Sequence, residues 1–351
     1  MTFITKPRIN YAGQARNALG LTMHDYEGRL STLCAGCGHD SISAALIQAF
    51  FELDIAPHTV AKFSGIGCSS KTPAYFLSGA HGINAVHGRM PAVATGSNAV
   101  HRSLYCVGIS GDGDSLSIGF GQFAHALRRN LKMLYIIENN GVYGLTKGQF
   151  SASADVGTKA KKGEVNEQQP IDPVVTALGL GGTFIARGFS GDKEQLVPLI
   201  KAGLNHDGFA MLDVLSPCVT FNDHEDSTKS YAHTRQNFHP AIRLDFVPPA
   251  EPISAQSLEG GVISVELHDG SHILLRRASQ DYDPTDRSRA FAYVQEHQAR
   301  GEIVTGLLYI DEDRGDMHAL AHTIDEDLVD IPYEDLCPGA NALAELQNRF
   351  R

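Results

Sequence analysis

The stretch that most narrows what this chain can fold into runs from Leu104 to Tyr143. Leu104 to Ser110 is an apolar run of strand length, broken by Gly111-Asp112-Gly113. Ser115 to Asn130 then reads as a helix, with Ile118, Phe120, Phe123, Ala124 and Leu127 spaced for one buried face. A second apolar run, Met133 to Ile137, ends at Glu138-Asn139-Asn140-Gly141. A strand–helix–strand unit of this kind makes the two strands parallel, joined by a right-handed crossover. Asp112 and Asn140 then stand just past the carboxyl ends of neighbouring strands, where open α/β sheets bind ligands. A carboxylate and an amide oxygen are hard ligands that suit Mg²⁺, which keeps other octahedral positions for water or phosphate. The helix after Gly113 turns its amino end to the same spot and favours an anion. The stretch therefore describes a metal-bridged diphosphate site. Turn chemistry alone also produces Gly-Asp-Gly and Asn-Asn-Gly, and Asp114 reads first as a helix N-cap.

The chain has 351 residues, room for one large α/β domain with an extension or for two domains. A net charge of −11 argues against bulk affinity for nucleic acid. No apolar run reaches the ~20 residues of a membrane span, and the first residues lack the apolar core of a signal peptide. A cytoplasmic protein is the expectation. Six cysteines without an export signal read as thiols available to a metal, not as a disulfide scaffold.

Cys34-Ala35-Gly36-Cys37 precedes an amphipathic helix over Ser41 to Leu53. A redox pair of thioredoxin type would want a strand directly before it, and a zinc knuckle a second C-x-x-C or paired histidines. An iron–sulfur cluster needs four thiolates, which can be far apart in sequence. Cys68 follows the strand-like Val60 to Phe63 in a Gly65-Ile66-Gly67-Cys68-Ser69-Ser70-Lys71 loop, whose small residues admit close backbone approach. Cys218 follows the strand-like Ala210 to Leu215. Cys106 sits within an apolar strand and reads as core, and Cys337 lies apart, near the terminus. The candidate set is Cys34, Cys37, Cys68 and Cys218.

In order along the chain stand Cys34-x-x-Cys37-Gly38-His39, Gly65-Ile66-Gly67-Cys68-Ser69-Ser70-Lys71, His87-Gly88-Arg89-x-Pro91, the Gly-Asp-Gly and Asn-Asn pair, Gly141 to Gln149, and Ser216-Pro217-Cys218. The Gly-Asp-Gly and Asn-Asn pair resembles the thiamine diphosphate fingerprint, and the whole series is similar to the β subunits of 2-oxoacid:ferredoxin oxidoreductases. Tyr282-Asp283-Pro284-Thr285 and Leu336-Cys337-Pro338-Gly339 resemble the family's longer members. One departure is Ser151-Ala152-Ser153, where the family pattern has Ser-Pro-Thr.

The resemblance implies a doubly wound, mostly parallel α/β sheet of the thiamine-diphosphate-binding type with a C-terminal α+β extension. It implies Mg²⁺ held by Asp112, Asn140 and the Val142 carbonyl, and one [4Fe-4S] cluster on Cys34, Cys37, Cys68 and Cys218. Cofactor contacts would come from Gly67, Ser69, His87, Gly111, Gly113, Asp114, Gly144 and Leu145. Lys71 and Lys147 are candidates for the substrate carboxylate or coenzyme A, with a surface lysine as the competing reading. His87 and Arg89 are candidates to line the pocket, with core hydrogen bonding as the alternative, and Leu145 to shape it for the substrate side chain. The implied reaction is decarboxylation of a 2-oxoacid, 2-oxoglutarate before pyruvate, to an acyl-CoA, with electrons passing to ferredoxin; it can run in reverse. A separate pyrimidine-binding domain is missing, so an α subunit and an (αβ)₂ assembly are expected. Two rivals stand beside this: a thiamine decarboxylase or synthase with incidental cysteines, and an electron-transfer subunit without thiamine.

By segments, residues 1–30 read as an N-terminal arm, 31–245 as the cofactor-binding domain and 246–351 as the extension. Ser151 to Pro170 reads as a mobile loop over the site, and Val219 to Arg243, with His224, His233 and His239, as surface loop. Val262 to Leu267 and His272 to Arg276 read as a hairpin turning on Asp269-Gly270.

Overall fold

The computed structural model describes residues 13–160, 163–225, 227–247, 262–266, 272–277 and 282–351. Its frame is one ten-stranded sheet. The parallel part comprises β1 (Val60–Ser64), β2 (His81–Asn84), β3 (Tyr105–Gly111) and β4 (Met133–Asn139). After a small hairpin of β5 (Val142–Tyr143) and β6 (Gln149–Phe150) come β7 (Phe184–Phe189) and β8 (Phe209–Leu215). Across the sheet these run β2-β1-β3-β4-β8-β7, every neighbour parallel. Both central strands, β4 and β8, are buried at every residue. Their near-continuous apolar sequences follow from having helices on both faces.

Helices α1 (Gly38–Glu52) and α5 (Lys193–Asn205) pack together on one face; α2 (Met90–Val100), α3 (Phe120–Arg128) and α4 (Pro173–Leu180) follow one another on the other. Asp172 and Asp192 cap α4 and α5 through their carboxylates, each cap worth about 1 kcal/mol. Phe123, Tyr135 and Phe209 form a buried aromatic cluster with centroids 5.3–6.0 Å apart.

Several expectations are corrected. The helix expected from Ser115 begins as a single π-type turn, Gly113–Ile118, and becomes regular only at Phe120. Ile118 and Phe120 are exposed, because the wider turn rotates them off the face that buries Phe123 and Leu127. The first part of the 151–170 segment is packed in, while 163–165 and 167–170 are exposed. Ser151, Ser153, Ala154 and Thr158 are buried, and Asp155 bonds Thr228 and Lys229. Val219 to Arg243 contains a helix, α6 (Tyr231–Asn237), and the start of strand β9 (Phe238–Val247). His239 there stacks on His297 at 4.4 Å and bonds Tyr293. Of the arm, residues 13–30 hold one 3₁₀ turn, anchored by the fully buried Tyr26.

The chain beyond residue 246 extends the same sheet. The hairpin strands β10 (Val262–Glu266) and β11 (His272–Arg277) pair in antiparallel register; the Asp269-Gly270 turn lies outside the described residues. Helix α7 (Arg287–Ala299) leads into β12 (Ile303–Ile310), which runs antiparallel to β7 and parallel to β9. The sheet therefore continues β7-β12-β9-β11-β10, and β9 itself crosses the expected 245/246 boundary. No helix among the described residues is long and apolar enough to cross a membrane.

Candidate functional site

The register of β3 on β4 sets Gly111 beside Glu138, so the residues that follow emerge side by side at the carboxyl edge of the sheet. Asp112 is 1% exposed and occupies the N-cap position of the π-type turn. Its Oδ1 lies 3.4 Å from the Asn140 backbone nitrogen, while its Oδ2 accepts from the hydroxyls of Ser151 and Ser153. The Asn140 side-chain oxygen accepts from the Val142 N–H at 3.0 Å, closing a turn for which Gly141 adopts φ +72°. Among the described residues no lysine, arginine or histidine pairs with Asp112. A buried carboxylate without a cation, facing a cleft beside an amide oxygen, has the donor chemistry of a Mg²⁺ site.

Asp114 is not the N-cap; Asp112 holds that place. Asp114 is a brace, accepting from the Gly88 N–H at 2.8 Å and from the Ser110 hydroxyl at 2.7 Å. It packs so tightly on Gly65 that a Cβ there would lie 1.7 Å from its Oδ2. Gly113 has no room for a side chain either, because the Tyr143 ring lies 2.4 Å from where a Cβ would be. These contacts tie the turn after β3 to the loop after β1. That loop is held from below by Lys62, whose buried ammonium donates to the carbonyls of Pro73, Phe76 and Leu77 at 2.6–2.8 Å.

Together the loops form a cleft of about 60 Å³. Gly67, Ser69, His87 and Gly111 line it, with Asp112, Gly113, Asp114, Asn140, Val142, Gly144 and Leu145. His87 stands exposed on its lip and Leu145, 48% exposed, on its rim. Lys71, Lys147 and Arg89 do not line it. Lys71 is half-buried on the turn after Cys68, and Lys147 is exposed at φ +78°. Arg89 is exposed, and its guanidinium donates to the Gly88 carbonyl at 3.3 Å.

A second cavity, about 40 Å³, lies against the first and is lined by Cys34, Cys37, Cys68 and Cys218. All four are free thiols. A Cβ on Gly144 would stand 3.4 Å from the Cys68 sulfur and 3.7 Å from that of Cys218, so both sulfurs rest on bare backbone. Among the described residues no group of three or more His, Cys, Asp or Glu is gathered to hold a metal ion. Four thiols spaced around a cavity instead have the donor chemistry of a polynuclear centre. Burial pushes the Cys37 thiol up to about 12 and also raises Cys68, so a metal bound through these thiols would have to displace their protons. Cys106 is buried in β3, and Cys337 is exposed; neither lines this cavity.

His39, Cys68, Asn140 and Gly144 line both cavities and form the wall between them. The His39 Nδ1 lies 2.6 Å from the Ser216 hydroxyl and 3.6 Å from a Glu138 oxygen. Burial lowers the imidazole to about 4 and holds Glu138 well above the usual carboxylate range, against the hydrogen bonds from Thr72. The imidazole is therefore neutral near pH 7, and burial pushes the Glu138 carboxyl toward its protonated form. His39, Glu138, Ser151 and Ser153 were not assigned from the sequence. The available signals were Glu138 as the one charged residue in an otherwise apolar strand, and His39 directly after the C-x-x-C helix start.

Three comparisons bear on this geometry. Residues 62–214 match the C-terminal TPP-binding domain of thiamine pyrophosphate enzymes. The β subunit of 2-oxoacid:ferredoxin oxidoreductase from Saccharolobus solfataricus is 41% identical over 222 residues, covering 63% of this chain and 70% of the relative. The 2-oxoglutarate oxidoreductase subunit KorB from Mycobacterium tuberculosis is 38% identical over 191 residues, 54% of this chain and 51% of the relative. In three dimensions the chain is similar to 2-oxoglutarate:ferredoxin oxidoreductase from Magnetococcus marinus, solved with 2-oxoglutarate, coenzyme A and succinyl-CoA bound. The TM-score is 0.70 at 28% identity, covering 89% of this chain and 97% of that one.

Proposed function

Because the chain belongs to the β subunits of 2-oxoacid:ferredoxin oxidoreductases, we propose that it is the part of a heteromeric enzyme holding thiamine diphosphate, Mg²⁺ and one [4Fe-4S] cluster. The enzyme converts a 2-oxoacid, 2-oxoglutarate in this reading, and coenzyme A to an acyl-CoA and CO₂. Ferredoxin takes the electrons, and the same site permits the reverse carboxylation. The observation that carries the reading is the shared wall: an oxygen-lined cleft and a four-thiol cavity meet at His39, Cys68, Asn140 and Gly144.

Asp112, Asn140 and the Val142 carbonyl would hold the metal, and Cys34, Cys37, Cys68 and Cys218 the cluster. Thiamine diphosphate, when bound, supplies the electron sink for decarboxylation. The chain's own residues orient and insulate it. Gly67, Ser69, Gly111 and Gly113 offer backbone close enough for a diphosphate. Asp114 locks the two loops that carry those residues, and the neutral His39 adds no charge to the wall. Leu145 on the rim shapes the space for the substrate side chain, and His87 borders it on the lip. Lys71 and Lys147, outside the lining, meet the substrate carboxylate or coenzyme A as they arrive. An α subunit carrying the pyrimidine-binding domain completes the pocket in this reading, and (αβ)₂ is the assembly we expect.

The test is anaerobic co-purification with the α subunit, followed by viologen reduction with 2-oxoglutarate, pyruvate and branched 2-oxoacids. The expected protein is brown, iron-containing and most active with 2-oxoglutarate. Colourless, iron-free protein with full decarboxylase activity would favour the cluster-free rival. Undiminished activity after Asp112→Ala would favour the electron-transfer rival.

A further inference from the structure

Asp112 is not held symmetrically. The hydroxyls of Ser151 and Ser153 converge on one oxygen, Oδ2, with Ser153 at 2.5 Å. Among the described residues the other oxygen, Oδ1, meets only the long 3.4 Å approach of the Asn140 amide. Both serines are buried, Ser153 at 2% exposure. Ser153 Oγ also lies 2.8 Å from the Asn139 side-chain oxygen. One hydroxyl hydrogen serves one acceptor, and the carboxylate is the stronger. The Asn139 amide in turn donates to buried Asp213, which pairs with Arg187. Asn139, behind the serines, is thereby held by the centre of the sheet.

From this asymmetry we infer that Ser151 and Ser153 are specificity-determining residues for the metal: they occupy Oδ2 and leave Asp112 only Oδ1 to offer a cation. The inference rests on the metal site proposed above and goes further, to which ion that site prefers. Mg²⁺ demands a near-ideal octahedron at about 2.0–2.1 Å, to which a carboxylate gives one oxygen, whereas Ca²⁺ takes 6–8 oxygens and accepts a carboxylate through both. A carboxylate with one oxygen already engaged by two donors is matched to the smaller ion. Removing the donors frees Oδ2 to chelate, which helps Ca²⁺, and loosens the orientation of Oδ1, which harms Mg²⁺. Losses of outer partners of this kind cost roughly 10–100-fold in metal affinity.

The test uses the full chain purified with its α subunit, stripped of metal and thiamine diphosphate. Binding of thiamine diphosphate is followed by equilibrium dialysis while Mg²⁺ or Ca²⁺ is titrated. In the wild type, Mg²⁺ should support binding at lower concentration than Ca²⁺. In the Ser151→Ala/Ser153→Ala double variant the Mg²⁺:Ca²⁺ preference should fall about 10-fold or more, with binding in saturating Ca²⁺ retained. Ser153→Thr alone, which keeps the hydroxyl, should preserve the preference. An unchanged preference in the double variant, or equal loss for both ions, overturns this inference alone. A wild-type complex that binds no thiamine diphosphate with either ion overturns the proposed function, and this inference with it.

Discussion

The oxygen-lined cleft and the sulfur-lined cavity share a wall but are built on opposite plans. In the cleft, Asp112 and Asn140 leave adjacent parallel strands whose register fixes their spacing before any loop is placed. In the cavity, Cys34 and Cys37 precede α1, Cys68 follows β1 and Cys218 follows β8, so three separate loops must converge. The oxygen-lined cleft is a property of the sheet, and the thiol-lined cavity a property of the loops laid on it. The cleft should therefore keep its shape without its partner, while the cavity should depend on what fills it.

That contrast can be broken or sharpened by experiment. The largest effect is expected from emptying one site at a time. Asp112→Ala should weaken thiamine diphosphate retention by about 100-fold, the upper range for a lost charge-assisted contact, with iron content unchanged. Cys37→Ala should lose the iron and keep the thiamine. If either variant empties both sites, the two plans are not independent.

Next comes the sheet beneath the cleft, where Arg187 bonds Asp213 at 2.7 Å and Asp172 at 2.7 Å. Arg187→Met leaves the buried Asp213 carboxylate without its cation and should cost about 3–5 kcal/mol, read by denaturant unfolding. Retained stability would show that the strand ends do not need this frame.

The wall gives a pH signature. The His39 imidazole is lowered from 6.5 to about 4 by burial. Between those values the unfolded chain takes up a proton that the folded chain refuses, so stability is lost as pH falls from 6.5 to 4 and levels off below. The loss should be on the order of 3 kcal/mol, measured on the iron-free chain. It should vanish in His39→Gln; an identical slope in the variant would mean that the imidazole is not the group refusing the proton.

Smallest is Gly65→Ala. The Cβ would meet Asp114 Oδ2, and overpacking of this kind costs about 1–3 kcal/mol. The melting temperature should fall and thiamine diphosphate bind less tightly, with iron retained.

What could be read in the sequence follows the same division. Asp112 and Asn140 were legible because strand–turn–helix–strand is a local pattern and topology does the rest. The four thiols stand out by their loop settings after strands or before a helix, and the family resemblance adds to that choice, since no spacing rule links Cys68 to Cys218. Ser151 and Ser153 were read as part of a mobile loop because a polar, lysine-bearing segment looks solvated until its hydroxyls are seen to end on a buried carboxylate. The periodicity points to a helix start at Ser115 because a π-type turn leaves no periodic trace in six residues. The four-strand continuation of the sheet was read as a hairpin and a strand. Its pairing was hidden, because nothing in Ile303–Ile310 says that it runs against β7 and along β9 at once.

That double pairing bears on the order in which the polypeptide is made. β9, β10 and β11 are all synthesised before β12, yet β12 is the strand that couples them to the parallel core. As the nascent chain leaves the ribosome, the cofactor-holding half can close early from contacts near in sequence, while the β9–β11 edge waits with exposed amides and carbonyls for the last strand to slide between. An edge kept open during translation is a place for unwanted strand pairing. A stop or frameshift before residue 303 should therefore yield aggregates rather than a smaller folded enzyme.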